Sequence, residues 1–385
     1  MKPHPILSLC MIVRDEADQL PRFLEKHCRF FDEWIVIDTG SSDDTVRILK
    51  EAGKRPLFFR WQDDFSKARN FALQHASGDW VASMDADEVI SAEDQEKIKV
   101  IIREDACDAI SVVQRNYSED MDDILWVPCS RDPEALGPFH QGATGFIPVP
   151  IVRFFRRRPE YCWEYPVHEV LQPSIERAGG SILDTPYIIH HYGLIRTENR
   201  LKRKHALYAR IAANLKGQGC LESSPKLLCE LAKASESDIE RLKLLETARG
   251  RSSKDPYFLV FLGDAQLRAG RLDQALSTAT ILIESKPDMP AGFLLAAKVC
   301  YRMNHSELGM DLLRRSLPRH KHNPKILYSL GMLYFVSKKI RPALFYLRRA
   351  REQAPSDRAI QNDLRRVETL APDLCEKMVD GCFNG

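Results

Sequence analysis

No stretch of this sequence is apolar for long enough to cross a bilayer. The early run Ile6–Val13 is short, is followed at once by Arg14, Asp15 and Glu16, and lacks a signal-peptide cleavage pattern. A cytoplasmic protein is therefore expected, meeting its substrates in the cytosol or by peripheral contact with a membrane. An excess of either charge is also missing: 56 basic residues stand against 54 acidic ones, a formal net charge of +2. A nucleic-acid binder would carry a strong basic excess, so no such partner is expected. The local runs Arg156-Arg157-Arg158 and Lys202-Arg203-Lys204 read as solvated faces. Ten cysteines are present, yet no pair has C-x-x-C spacing and no cluster suits zinc, so they read as mostly buried, reduced thiols. No G-x-G-x-x-G follows an early strand and no Walker A loop occurs, which excludes the dinucleotide fingerprint and the P-loop.

The length suits two domains, and the pattern divides accordingly. In the first part, strands are expected at Ile6–Val13, Trp34–Asp38, Leu57–Trp61 and Trp80–Met84. Helical stretches lie between them: Ala17–Phe30, a helix capped around Ser41-Ser42-Asp43 and stopped by Gly53, and one from a cap at Ser66 to Ala76, stopped by Gly78. This βαβαβαβ order predicts an α/β domain, a mostly parallel sheet with helices on both faces. From about 116 to 150 the pattern dissolves into a long insertion, of a kind that is often functional. Ile151–Arg156 and Ser181–His191 read as further strands.

From about residue 200 the sequence is almost all helical and repeats. Gly263 and Gly331, Ala275 and Ala343, and Pro287 and Pro355 are each 68 apart, twice the 34-residue tetratricopeptide period. Between them Pro290–Asn323 keeps the size pattern with Ala297 and Gly309. A unit of this kind cannot bury its own apolar face, so an all-α solenoid is expected. The expected division is 1–197 for the α/β domain, 198–222 for a linking helix and 223–385 for the repeats. The repeats would bind a peptide, join two copies of the chain, or brace the first domain.

The chemistry concentrates in four places. Asp85 and Asp87 close the fourth strand, and alternate residues of an extended chain face one ligand. Carboxylates at the carboxyl end of a parallel strand sit where open α/β sheets bind ligands, and their oxygens suit Mg²⁺ or Mn²⁺. Asp38 ends the second strand ahead of Gly40, placed to accept hydrogen bonds from a ribose or base. The segment "WEYPVHEV" holds Glu164, His168 and Glu169, and "IIHHYG" holds His190 and His191.

Taken in order, "SLCMIVRDEADQLPRFLE", "WIVIDTGSSDDT", "FSKARNFALQHASGDWVASMDADE" and "VRFF…YPVHE" resemble the family-2 glycosyltransferases of GT-A fold. Within that family they are similar to the bacterial branch that often carries tetratricopeptide repeats. The resemblance covers residues 6 to about 193. It implies that Met11, Val13, Arg14 and Glu16 line a nucleotide pocket, and that Asp38 contacts the nucleoside of a UDP-sugar. It implies that Arg69, with Asn70 beside it, approaches the base or diphosphate. Asp85 would lie near the ribose or a metal-bound water, Asp87 would bind the metal, and His191, with His190 as alternate, would add a ligand. Glu169 would be the general base, with Glu164 as alternate and His168 positioning it or touching the donor.

The activity so implied is inverting transfer from a nucleotide-diphosphate sugar, assisted by Mn²⁺ or Mg²⁺, to a peptide, protein or glycan. Two other classes compete. A scaffold would bind the nucleotide sugar without turnover and act through its repeats. A nucleotidyltransferase would carry a glycine-rich, basic signature where Arg14-Asp15-Glu16-Ala17 stand.

Overall fold

The computed structural model describes residues 5–118, 123–129, 139, 141–193, 207–208, 210–211, 228–229, 231–232, 235, 237–252, 255–355 and 357–370. The linking helix expected over 198–222 lies almost wholly outside the described residues. Two compact units emerge: residues 1–117 with 147–221, and residues 118–146 with 222–385.

The first unit opens with β1 (Leu7–Val13), α1 (Leu20–His27), β2 (Glu33–Asp38), α2 (Thr45–Glu51), β3 (Leu57–Phe58), α3 (Phe65–His75) and β4 (Trp80–Ser83). Strands β3, β2, β1 and β4 lie side by side in that order and are parallel. The alternation along β1 explains why it is apolar throughout. Leu7, Leu9, Met11 and Val13 enter one core with Phe23 and Leu49, and Cys10 enters the other with Ala72 and Val81. Both faces of the strand are covered by helices. Two helix starts differ from expectation. Asp64, not Ser66, caps α3 by accepting from the Lys67 amide, and Ser66 lies inside the helix. Asp44 occupies the cap position of α2 but its side chain accepts from Arg47 and caps no helix amide, while Asp43 accepts from the Thr45 amide.

The chain continues through β5 (Glu88–Ile90), α4 (Ala92–Glu104), β6 (Ala109–Ser118), β7 (Val127–Pro128), β8 (Gly145–Arg156), α5 (Gln172–Arg177) and β9 (Ile182–His191). β8 joins β4 antiparallel, β9 runs parallel to β6, and β5 closes antiparallel on β9. The sheet is therefore mixed, with its parallel half at the start of the chain. In that half the carboxyl ends of β1, β2 and β4 share one edge, because the register sets Val13 beside Asp38 and Cys10 beside Ser83.

The second unit holds α6 (Asp238–Ser252), α7 (Pro256–Arg268), α8 (Leu272–Ser285), α9 (Pro290–Arg302), α10 (Ser306–His320), α11 (Pro324–Val336), α12 (Ile340–Gln353) and α13 (Arg358–Leu370). Pro256, Pro290 and Pro324 each open a helix, at steps of 34 residues. Proline suits a first helical turn, where its missing amide is not needed. The small landmarks explain the close pairing of the helices. A methyl group at Gly263 would strike Leu295, and one at Gly331 would come within 2.8 Å of Leu347. The turns use left-handed backbone at Gly270, Asn304 and Lys338, again 34 apart. These helix pairs form a tetratricopeptide-like array.

The insertion belongs to this second unit. Ile124 packs into two apolar clusters of the repeat helices. Lys325 Nζ donates to the Asp123 carbonyl and lies 5.3 Å from the Trp126 ring centre. Trp126 is buried, and its indole donates to the Ser118 carbonyl at 3.0 Å. Gly145 leaves room for that ring, which an added methyl group would strike.

Candidate active site

The shared carboxyl edge of β1, β2 and β4 carries most of the candidate residues. Met11 and Val13 lie at its β1 end, while Arg69, His168, Glu169 and His191 come from other elements. The Met11 and Val13 side chains are buried in the core, which corrects the expectation that those side chains line a pocket. Arg14 is exposed and Glu16 half-buried. The Glu16 amide donates to Thr45 Oγ1 at 2.7 Å, tying the loop after β1 to α2. Asp38 accepts from the Ser41 hydroxyl at 2.5 Å and from the Ser41 and Gly40 amides, so its carboxylate shapes the turn after β2. Gly40 sits there at φ +108°, a backbone that side chains rarely adopt.

Arg69 is the centre of the arrangement. It points from α3 under the sheet edge with its side chain only 7% exposed. Its three nitrogens donate in three directions: Nε to Glu169 at 2.5 Å, one terminal nitrogen to Ser83 Oγ at 3.0 Å, the other to Asp85 at 2.9 Å. Burial opposes the charge, but Asp85 and Glu169 outweigh it and hold the guanidinium firmly protonated. Arg153, on β8, approaches the other Asp85 oxygen at 3.6 Å and Glu88 at 2.5 Å. Burial disfavours the Asp85 charge as well, yet Arg69 and Arg153 hold its carboxyl below the ordinary aspartate value. Glu88 is fully buried; burial pushes its pKa up against the pull of Arg153, and Gln114 donates to it at 2.5 Å.

Glu169 and Glu164 part company. The segment between them is a clasp: the Glu164 and Val170 backbones bond each other both ways, at 3.0 and 3.1 Å. Asn70 pins it to α3 by exchanging two hydrogen bonds with the Trp163 backbone, at 2.8 and 2.9 Å. Within the clasp Tyr165 and His168 adopt left-handed backbone, at φ 73° and 53°. Such conformations in bulky residues cluster at functional sites. The clasp turns Glu169 to Arg69 and Glu164 to the exposed Arg177. The His168 ring meets Tyr208 edge-on at 5.2 Å.

Asp87 takes another direction from Asp85. Its Oδ2 lies 3.4 Å from Nε2 of His191, the last residue of β9. Gly193 keeps the place open, since a methyl group there would sit 2.6 Å from His191 Nε2 and 3.2 Å from Asp87 Oδ2. His190 faces away. It is buried, its Nδ1 shares a 2.7 Å hydrogen bond with Tyr117, and burial pushes its pKa down to about 3. Among the described residues no three His, Cys, Asp or Glu side chains gather as a metal cage. Asp87 offers the carboxylate oxygen that Mg²⁺ and Mn²⁺ take, and His191 adds a borderline imidazole nitrogen, so most of a cation's shell would fall to water and substrate oxygens.

Arg153, Glu88, Ser83 and Gly193 escaped the sequence reading. Arg153 carried a signal, since a charged residue inside the apolar strand "IVRFF" requires a buried partner.

Residues 8–163 match the model of glycosyl transferase family 2. A TPR repeat-containing protein of Synechococcus elongatus is 35% identical over 204 residues, 51% of this chain and 44% of that protein. The SPbeta prophage-derived glycosyltransferase SunS of Bacillus subtilis is 32% identical over 129 residues, 33% of this chain and 31% of that protein. The chain thus spans less than half the length of these relatives. Among solved structures, a thermophilic TPR protein of Thermus thermophilus is 20% identical over 44% of this chain and 91% of its own, with a TM-score of 0.37. Residues 8–163 constitute a family 2 glycosyl transferase domain. A tetratricopeptide-like unit follows it in the chain.

Proposed function

We propose that the chain is a cytoplasmic, inverting glycosyltransferase. It moves a sugar from a nucleoside diphosphate, a UDP-sugar, to a peptide, protein or saccharide acceptor. Asp87 and His191 would hold Mn²⁺ or Mg²⁺. The observation that carries this reading is the facing pair of Asp87 Oδ2 and His191 Nε2, 3.4 Å apart, next in sequence to the Asp85–Arg69–Glu169 chain. When bound, the cation supplies Lewis-acid stabilisation of the leaving diphosphate. The turn shaped by Asp38 receives the nucleoside. Arg69, locked by Asp85 and Ser83, fixes the direction of the Glu169 carboxylate, which takes the acceptor proton. Such general-base assistance contributes about 10²–10⁴-fold. The repeat unit is read as the part that meets a polypeptide acceptor. No helix among the described residues is long and apolar enough to cross a membrane.

Thermal stabilisation by a panel of nucleotide sugars, with and without Mn²⁺, tests the donor. Turnover of the best donor is then compared in the wild type and Asp87→Asn. The expected result is one donor that stabilises more strongly with Mn²⁺ and a turnover that collapses in the variant. Donor binding without hydrolysis or transfer would replace this reading by the scaffold one.

A further inference from the structure

The metal reading needs one particular nitrogen of His191 to carry a lone pair, and the structure contains a device that selects it. β6 runs parallel beside β9, and the register sets Asn116 opposite His191. The Asn116 amide has two ends with different partners. Its Nδ2 donates to the Ile147 carbonyl at 3.1 Å, and its Oδ1 lies 2.6 Å from His191 Nδ1. A carbonyl oxygen only accepts, so the Ile147 oxygen fixes which end of the amide carries the N–H₂ group. Turning the amide over would set two carbonyl oxygens against each other. The Asn116 oxygen therefore faces the ring, and the ring nitrogen opposite it must bear the proton. In a neutral imidazole the lone pair then belongs to Nε2, the atom that faces Asp87 Oδ2 at 3.4 Å across the space left by Gly193.

We propose that Asn116 is a positioning residue for His191: anchored by the Ile147 carbonyl, it holds the ring in the Nδ1–H tautomer and presents Nε2 beside Asp87 as a cation ligand. The proposal rests on the metal reading above for its purpose, but its first claim concerns the metal-free protein. Partners that hold the far nitrogen of a ligating histidine are typically worth about 10–100-fold in metal affinity.

Two measurements test it. Ring ¹⁵N NMR of metal-free protein, recorded where the ring is neutral and assigned with His191→Gln, reads the tautomer directly. The expected spectrum shows Nδ1–H in the wild type and in Asn116→Asp, which keeps an acceptor oxygen, and a shift toward Nε2–H in Asn116→Ala. Mn²⁺ affinity by electron paramagnetic resonance should fall about 10–100-fold in Asn116→Ala and stay at or above the wild-type value in Asn116→Asp. An Nε2–H ring in the wild type overturns the proposal. So does an Asn116→Ala protein that binds Mn²⁺ as tightly as the wild type. A wild type that binds no Mn²⁺ removes the metal reading, and the tautomer result still decides whether Asn116 sets the ring.

Discussion

Replacing Arg69 by methionine keeps most of the side-chain volume and removes three donors at once. The two carboxylates left behind differ in their recourse. Asp85 is 31% exposed and retains Arg153, so water and the second arginine recover part of its loss. Glu169 is 12% exposed and loses its 2.5 Å partner, so it carries most of the penalty. Removing one partner of a buried pair costs about 3–5 kcal/mol. The recovery at Asp85 places Arg69→Met near the lower end, about 3 kcal/mol. Urea unfolding followed by tryptophan fluorescence suits the measurement, because Trp34, Trp61, Trp80 and Trp163 lie in the first unit. The pH dependence has a definite sign. The Asp85 carboxyl is depressed in the folded protein, so its stabilisation is complete above the ordinary aspartate value and is lost as pH falls through the lowered one. The gap between wild type and Arg69→Met should therefore shrink on acidification. A gap below about 1 kcal/mol at pH 7, the size of an exposed pair, or a gap that does not change with pH, would refute the reasoning.

Glu169→Gln should lower turnover about 10²–10⁴-fold with donor affinity nearly unchanged, whereas Glu164→Gln should lower it little; steady-state kinetics of both variants checks the assignment. Lys338→Gly removes the penalty of a left-handed side chain in the turn before α12, and should raise stability by about 1 kcal/mol, read as a higher melting temperature of the repeat unit. Gly145→Ala drives a methyl group into the Trp126 ring. It should cost about 1–3 kcal/mol by overpacking, with hydrogen exchange quickening in 123–129 and in α11.

The parts of the fold that could be read in advance are those whose causes are local. β1 and β4 are runs buried on both faces, and the repeats advertise small residues wherever one helix presses on the next. The cap of α3 lies two residues before the expected Ser66 because Asp64 and Ser66 offer the same chemistry, and only backbone geometry chooses between them. The candidate site was legible as motifs and illegible as connections. Asp85 and Glu169 were both singled out, yet their link through Arg69 spans 100 residues on one side and 16 on the other. Asn116 gave no sign at all, since its role exists only once β6 lies beside β9.

Because segment 118–146 belongs to the unit of the repeats, with Ile124 packed among their helices, the polypeptide passes between the two bodies three times rather than once. Cutting the gene at a single point near residue 197 would therefore not yield two self-sufficient products. The front piece would carry Ile124 stripped of the helices it packs against and Trp126 without Lys325, and the rear piece would have a vacant seat where Ile124 belongs. A workable dissection replaces the excursion with a short turn joining Tyr117 to Ile147 and returns it to the repeats as a separate peptide.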